Sequence, residues 1–395
     1  MVGPFGGSSK WPRGLSSEVP QGVTPARRSG TVRLCWDNAR LCKYRRAIKL
    51  GRWPPYSCIP VLAIVVCLAL PLSASAKTSI TYSHPDLVDP AGPLVGVSCT
   101  SAQVCLAVDF AGSIVGMSAF HSLSLGAGWP AFFDASCASV TFCVALTGTA
   151  AVTFLPTETR IHYFDPGADS IAHWDSVSCS SSKFCIAAGG ITGGAHAGAG
   201  IVAEWNGSRW STPARVTEPR ADGNPTFPQV VCTSEAFCMA SDGDGSVIHW
   251  NGSKWSPPTY LGPHLADNSF DVTCISSKFC MAIGDDHQVF NWNGSRWLHD
   301  ADSNLKGSYG LVGCTSPHLC VSVDAAGYAE SWDGTSWTPS QFVDPGGDGF
   351  DAMSCQPSGL CVAVDRAGNA VVIETNPLNR LPTTCYQSGC ITKSA

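Results

Sequence analysis

From Gly96 onward the chain alternates short apolar runs with polar turns, and the alternation itself recurs. "GVSCTSAQVCLAVDFAGSIVGM", "SVSCSSSKFCIAAGG", "QVVCTSEAFCMASDGDGSVIHW", "DVTCISSKFCMAIGDDHQVFNW" and "AMSCQPSGLCVAVDRAGNAVVIE" share one grammar. A β-branched run ends in Cys, a Ser/Thr-rich turn follows, and a second apolar run opens with Cys. An Asp/Gly turn then leads into a third, alternating run. Runs of this length and composition, bounded by such turns, predict strands rather than helices.

Seven C-x5-C pairs mark the register: Cys99/Cys105, Cys137/Cys143, Cys179/Cys185, Cys232/Cys238, Cys274/Cys280, Cys314/Cys320 and Cys355/Cys361. A period near ~40 residues is that of four-stranded propeller blades. In the third to sixth repeats the third run meets "WNGSRW", "WNGSKW", "WNGSRW" or "WDGTSW", carrying Trp205, Trp210, Trp250, Trp255, Trp292, Trp297, Trp332 and Trp337. Asn-Gly and Asp-Gly favour the φ > 0 turn of a tight hairpin, so the chain is expected to double back here as a fourth strand. That turn would set Trp205 opposite Ser208, with both indoles of each phrase on one side of the sheet. The indoles are expected to pack between blades; sugar-stacking platforms at the rim are the alternative.

The fold expected is all-β, a seven-bladed propeller of four-stranded antiparallel blades over residues 77–376. The last repeat lacks its Trp hairpin, and Thr78–Ser83 alternates without a partner, so this segment is expected to close the ring as the outer strand of blade 7. Cys i and i+6 fall on adjacent antiparallel strands, within bonding reach. Closing each loop of about seven residues should contribute roughly 2–2.5 kcal/mol in the chain-entropy model. Zinc is the rival, but its spacing is C-x2-4-C with further Cys or His. Cys385 and Cys390, in a tail spanning 377–395, are expected to form an eighth bridge.

These repeats resemble a family of secreted bacterial seven-bladed β-propellers whose motifs run SCxSxxFCxAV and WxGxxW. The resemblance implies architecture and lends no catalytic residues. The hairpin is also similar to the Asp-box turns of sialidases, though "SWDGTSW" departs from that pattern at Asp333-Gly334.

Composition agrees with a packed β protein: 44% hydrophobic, 14% charged, 40 Gly and 27 Pro in 395 residues. Charge divides sharply. Before Ile59 stand 11 Lys and Arg against Glu18 and Asp37, leaving 13 of the 24 basic and 28 of the 30 acidic residues for the remainder. A body carrying −15 repels phosphate backbones, so no nucleic-acid partner is expected. The basic residues precede an apolar run (Ile59–Leu72) and "ASA" at Ala74–Ala76, the layout of a signal peptide. Residues 1–57 thus read as a basic, disordered leader and n-region, and 58–76 as the hydrophobic segment and cleavage site. The run is short for a span of ~20 residues; membrane contact is expected only if it stays uncleaved. The mature chain is expected outside the cell or on its surface, as a monomer.

Chemistry is sparse. An Asp recurs four residues after the second Cys in several repeats (Asp109, Asp242, Asp324, Asp365), with Asp285 shifted by one and Asp244 adjacent. These are ordinary Asp-to-Gly turns, or else an acidic ring for a cation or basic ligand. No cofactor is expected, and no metal site is assigned. Calcium is the one ion with a sequence fragment, "DGDG" at Asp242–Gly245, which lacks the remaining acidic ligands of a calcium loop. No catalytic residue stands out. A binding module for a glycan or protein is the first reading. A carbohydrate-active hydrolase using carboxylates on the face of the inter-blade linkers is the second.

Overall fold

The computed structural model describes residues 80–375 except 91, 102–103, 119–120, 127–128, 166, 168–169, 219–228, 242–244, 263–269, 285–286, 302, 304 and 307–309, with the pairs 385–386 and 389–390. The leader, the apolar run and the cleavage site lie outside the described residues. No described helix is long and apolar enough to cross a membrane.

Seven antiparallel sheets, each a blade, follow one another in chain order. The strands that line the axis are Leu94–Ser101, Phe132–Ser139, Ser170–Ser181, Gln229–Ser234, Asp271–Ser276, Gly310–Ser316 and Phe350–Gln356, for blades 1 to 7. Each blade adds its second, third and outer strands going outward. In blade 7 the chain supplies three strands, and Thr81–Tyr82 pairs with its third strand at Thr81↔Glu374 and Tyr82↔Ile373. Asp86–Leu87 extends that edge at Asp86↔Ala370. The strand is therefore shorter than Thr78–Ser83, whose first two residues lie outside the described ones. Tyr82 is mostly buried, and burial together with the nearby Glu330 charge pushes its pKa up to about 12.

A blade has two faces and covers neither alone, so the hydrophobic core is divided among the seams. Seven buried clusters occupy the seven boundaries between consecutive blades, the blade 7 to blade 1 boundary included. The second strands are sandwiched on both faces, which explains their unbroken apolar runs: Leu360–Asp365 is buried along its whole length. Two residues after each second Cys stands Ala107, Ala145, Ala187, Ala240, Ala282, Ser322 or Ala363, all buried. Small side chains at this level let neighbouring blades approach where the wedge narrows.

Register explains why the cysteines and tryptophans recur together. In blade 3, Cys179 stands opposite Cys185, Cys185 opposite Trp205, and Trp205 opposite Trp210. Directly opposed residues share a face, so one row of Cys, Cys, Trp and Trp crosses the blade. Blades 4, 5 and 6 repeat the row. It faces the preceding blade: Trp205 packs on Phe142 of blade 2 with ring centroids 6.1 Å apart. Blades 1 and 2 keep the cysteines and lose the indoles, with Met117 opposite Cys105 and Phe154 opposite Cys143.

All seven cysteine pairs, from Cys99–Cys105 and Cys137–Cys143 round to Cys355–Cys361, are disulfides with Cα atoms 3.9–4.0 Å apart. In the tail Cys385 stands opposite Cys390 in a small hairpin; their side chains lie outside the described residues.

The Trp hairpin differs from the tight turn expected for Asn-Gly. Trp205 faces Trp210, not Ser208, because the loop holds four residues, Asn206–Arg209, rather than a two-residue primed turn. Only Gly207 takes positive φ, at +90°. Asn206 stays at negative φ and uses its Oδ1 to accept from Ser208 N, Ser208 Oγ and Arg209 N. An Asx cap therefore does the work assigned to an Asn-Gly turn.

The axial strands are free on one edge, where their N–H groups would lack partners. A serine just before the first Cys supplies them. Ser98 Oγ accepts from Cys137 N, Ser136 Oγ from Cys179 N, Ser178 Oγ from Cys232 N, and Ser354 Oγ from Cys99 N, at 2.8–3.0 Å. The "SC" dipeptide is thus an inter-blade clasp. Ser136→Ala, leaving Cys179 N–H unpaired, should lower stability by about 1–2 kcal/mol, read from urea midpoints of the oxidised protein; an unchanged midpoint would show that the clasp contributes nothing.

Candidate functional site

The axial strands enclose a channel of about 910 Å³. Its wall follows from register. Residues one and three before each first Cys point toward the next blade, and the residue two before points toward the preceding one. Three before the Cys stand Gly96, Asp134, Ser176, Gln229, Asp271, Leu311 and Ala352. The arc from blade 2 to blade 5 is polar, and the arc from blade 6 through blade 1 is not.

The polar arc forms a second tier of clasps. Asp134 Oδ2 accepts from Val177 N at 2.8 Å and Ser176 Oγ at 3.0 Å, while Oδ1 accepts from its neighbour Ala135 N. Ser176 Oγ accepts from Val230 N, Gln229 Oε1 from Val272 N, and Asp271 Oδ2 from Val312 N. Ala135 turns to its own neighbour because Gly96, on the preceding blade, has no side chain to offer. Burial pushes the pKa of Asp134 and of Asp271 up to about 6, against the hydrogen bonds that favour their charged forms.

At the linker-face mouth stand residues four before the Cys. Phe133 of blade 2 meets Phe110 of the blade 1 turn edge-on at 5.4 Å and His173 of blade 3 at 4.4 Å. His173 Nδ1 lies 2.7 Å from Asp175 Oδ1, and this bond raises the imidazole pKa. Phe110 is 47% exposed, a large apolar group left to solvent. Across the mouth, Asp351 of blade 7 accepts from Arg366 Nε at 2.9 Å on both oxygens. The mouth therefore offers an aromatic shelf beside a His–Asp pair on one side and an Arg–Asp pair on the other.

The bridges divide by strand with respect to this channel. The first cysteine of every pair, from Cys99 to Cys355, lies on an axial strand and lines the channel. The second does not: Cys105, Cys143, Cys185, Cys238, Cys280, Cys320 and Cys361 sit one strand farther out, where they staple the blade and take no part in the site. All fourteen are bonded, so none is a free thiol for chemistry or for a metal.

The turn aspartates do not converge on the mouth. Asp109, Asp324 and Asp365 are buried, and each caps its own turn: Asp109 Oδ1 takes Ser113 N, Asp324 Oδ1 takes Ala326 N and Tyr328 N, and Asp365 Oδ1 takes Ala367 N and Asn369 N. Asp242, Asp244 and Asp285 lie outside the described residues. Among the described residues no three His, Cys, Asp or Glu side chains gather as a metal centre. Trp205, Trp210, Trp292, Trp332 and Trp337 are buried, and Trp250, Trp255 and Trp297 partly so, with their rings in the seams. Sequence reasoning does not single out Asp134, Asp271, Phe133 or Arg366. Counting back from each first Cys would have placed the first three on the channel.

No family model and no curated protein matches the chain. Among solved structures it is similar to the WD40 β-propeller domain of Doa1, at 10% identity and a TM-score of 0.55, over 76% of this chain and 98% of that one. It is also similar to YCF48 bound to D1 peptide, at 9% identity and a TM-score of 0.53, over 74% and 96%. Identities this low establish the shared fold, a seven-bladed β-propeller, and no more.

Asp134 and Asp271 favour the protonated form when folded, so their contribution to stability is full below the unfolded pKa near 4 and is lost as pH rises through about 6. Wild type should therefore lose about 1–2 kcal/mol relative to Asp271→Asn between pH 4 and pH 7. Denaturant titrations of both proteins at several pH values check this; parallel curves would show that Asp271 does not titrate there.

Proposed function

We propose that this propeller is a non-catalytic protein-binding module that receives an extended peptide segment at the linker-face mouth of its channel. The observation that carries this reading is the mixed character of the mouth. An exposed aromatic shelf, Phe110 with Phe133, stands beside paired charges at His173–Asp175 and Arg366–Asp351. Apolar anchors near oriented charged groups suit recognition of a polypeptide. The structural neighbours agree with it: one is described as bound to a peptide.

The hydrolase reading draws less support. Acid–base work on a glycosidic bond needs two carboxylates that face substrate. The described turn carboxylates are occupied within their own turns, and Asp134 and Asp271 hold neighbouring strands. Glycan binding through stacked indoles likewise meets tryptophans already packed into seams. Export is part of the proposal: seven disulfides suit an oxidising compartment, and the leader has the layout of a signal.

Panning a random peptide library on the oxidised protein, beside a glycan array and chromogenic glycosides, tests the reading. Enriched peptides should bind Phe133→Ala and Arg366→Ala about tenfold more weakly, while Arg209→Ala on the opposite face leaves affinity unchanged. Glycoside turnover, a glycan hit without peptide enrichment, or peptide binding indifferent to both mouth variants would overturn it.

A further inference from the structure

The linker from blade 6 to blade 7 runs Val343-Asp-Pro-Gly-Gly-Asp-Gly349 and folds around Asp344. That side chain is 1% exposed, and neither carboxylate oxygen meets a donor in good hydrogen-bonding geometry, although the Gly349 N–H and the Asp365 carboxyl lie near enough to act on it. A buried carboxylate left so bare is among the costliest arrangements a fold can hold unless a proton or a cation compensates it. No described cation of the protein does. The nearby Arg366 guanidinium is taken by Asp351.

The surroundings add negative charge. Beside Asp344 lies the Asp365 carboxylate, itself buried and held by its own turn at Oδ1 and by Asn369 Nδ2 at Oδ2, and the exposed Asp348 adds to the repulsion. With burial as the largest cause these push Asp344 up to about 6, and the Gly349 N–H dipole offsets them only in part. The loop around it is made of residues that leave room. A Cβ on Gly347 would fall 1.9 Å from Asp344 Oδ2, and one on Gly327 would fall 3.0 Å from Asp344 Cβ. Gly346 and Gly349 both take positive φ, at 97° and 86°. Backbone, not side chain, therefore closes over the carboxylate.

We propose that Asp344 and Asp365 hold a calcium ion at the seam of blades 6 and 7, with carbonyl oxygens of the Gly346–Gly349 loop completing an oxygen-only ligand set. Two carboxylates match the charge of a divalent cation. Hard oxygen donors on an irregular loop suit calcium, which accepts variable geometry, better than magnesium, which requires a regular octahedron. Neither sequence position belongs to the "DGDG" fragment. The ion would pin the linker to the turn of the next blade and so tie blade 6 to the blade that contains the chain's first described strand.

The test uses the oxidised protein dialysed against EDTA and titrated calorimetrically with CaCl2 or MgCl2 near pH 7.5. Calcium should bind, raise the melting temperature and outcompete magnesium by about tenfold or more. Asp344→Asn and Asp365→Asn should each weaken calcium binding by about tenfold or more. Should neither variant fold, repeating the wild-type titration near pH 5 decides, because protonation of a carboxylate site must weaken calcium binding. The proposal is overturned if wild type shows no calcium-dependent heat or melting shift, if Asp344→Asn keeps its affinity, or if binding is unchanged near pH 5.

Discussion

The innermost strand of every blade presents a free edge to the axis, and the fold depends on giving those N–H groups partners. Outward, each blade solves the same problem with its own next strand. Inward there is no strand to add, so side chains of the preceding blade substitute for a ladder. Serine before the first Cys does this at four boundaries, and Asp134, Ser176, Gln229 and Asp271 do it one tier higher. Because these acceptors point along the ring, they set the spacing of neighbouring blades while the apolar seams supply most of the burial. The same requirement dictates the character of the channel, whose polar arc coincides with the clasps.

Seam packing and bridge placement are two results of one register. Direct pairing puts both cysteines and both tryptophans of a repeat on the face that meets the preceding blade, so a C-x5-C spacing and a W-x4-W spacing within one chain serve a single surface. Buried Ala or Ser two residues beyond each second Cys sets how closely the preceding blade can lie. The channel mouth escapes this repetition. Val95, Phe133, Asp175, Phe270, Gly310 and Asp351 each stand four before a first Cys and share no one residue type, ranging from aromatic through acidic to glycine. Where a repeat protein abandons its repeat, something other than the scaffold sets the residue, and this asymmetry is what separates the mouth from the rest of the surface.

The architecture was legible in the chain because its rules are local and recur. Strand period, cysteine spacing and turn chemistry each repeat within about forty residues, and together they define the blade. The hairpin at Asn206 was misjudged by two residues because Asn-Gly suits both a primed turn and an Asx-capped loop. Dihedrals alone distinguish them. The channel was harder to see. Asp134 and Asp271 look like unremarkable strand residues until the register relative to Cys137 and Cys274 is counted, and their raised pKa values come from burial by neighbours roughly forty residues away. The burial of Asp344 is equally invisible in sequence, since Asp-Pro-Gly-Gly reads as a plain exposed turn.

Each disulfide joins two residues of the same hairpin, and afterwards the next-door blade lies over it. In blades 3 to 7 the outer sulfur is fully shut away, at Cys185, Cys238, Cys280, Cys320 and Cys361, whereas Cys105 and Cys143 keep some exposure. Oxidation of those five must then come early. A hairpin can be sealed as soon as its few residues emerge, with no distant thiol to choose among, whereas an oxidant arriving after the disc has formed meets half of each pair already entombed. The first two petals are where a reductant would gain its foothold.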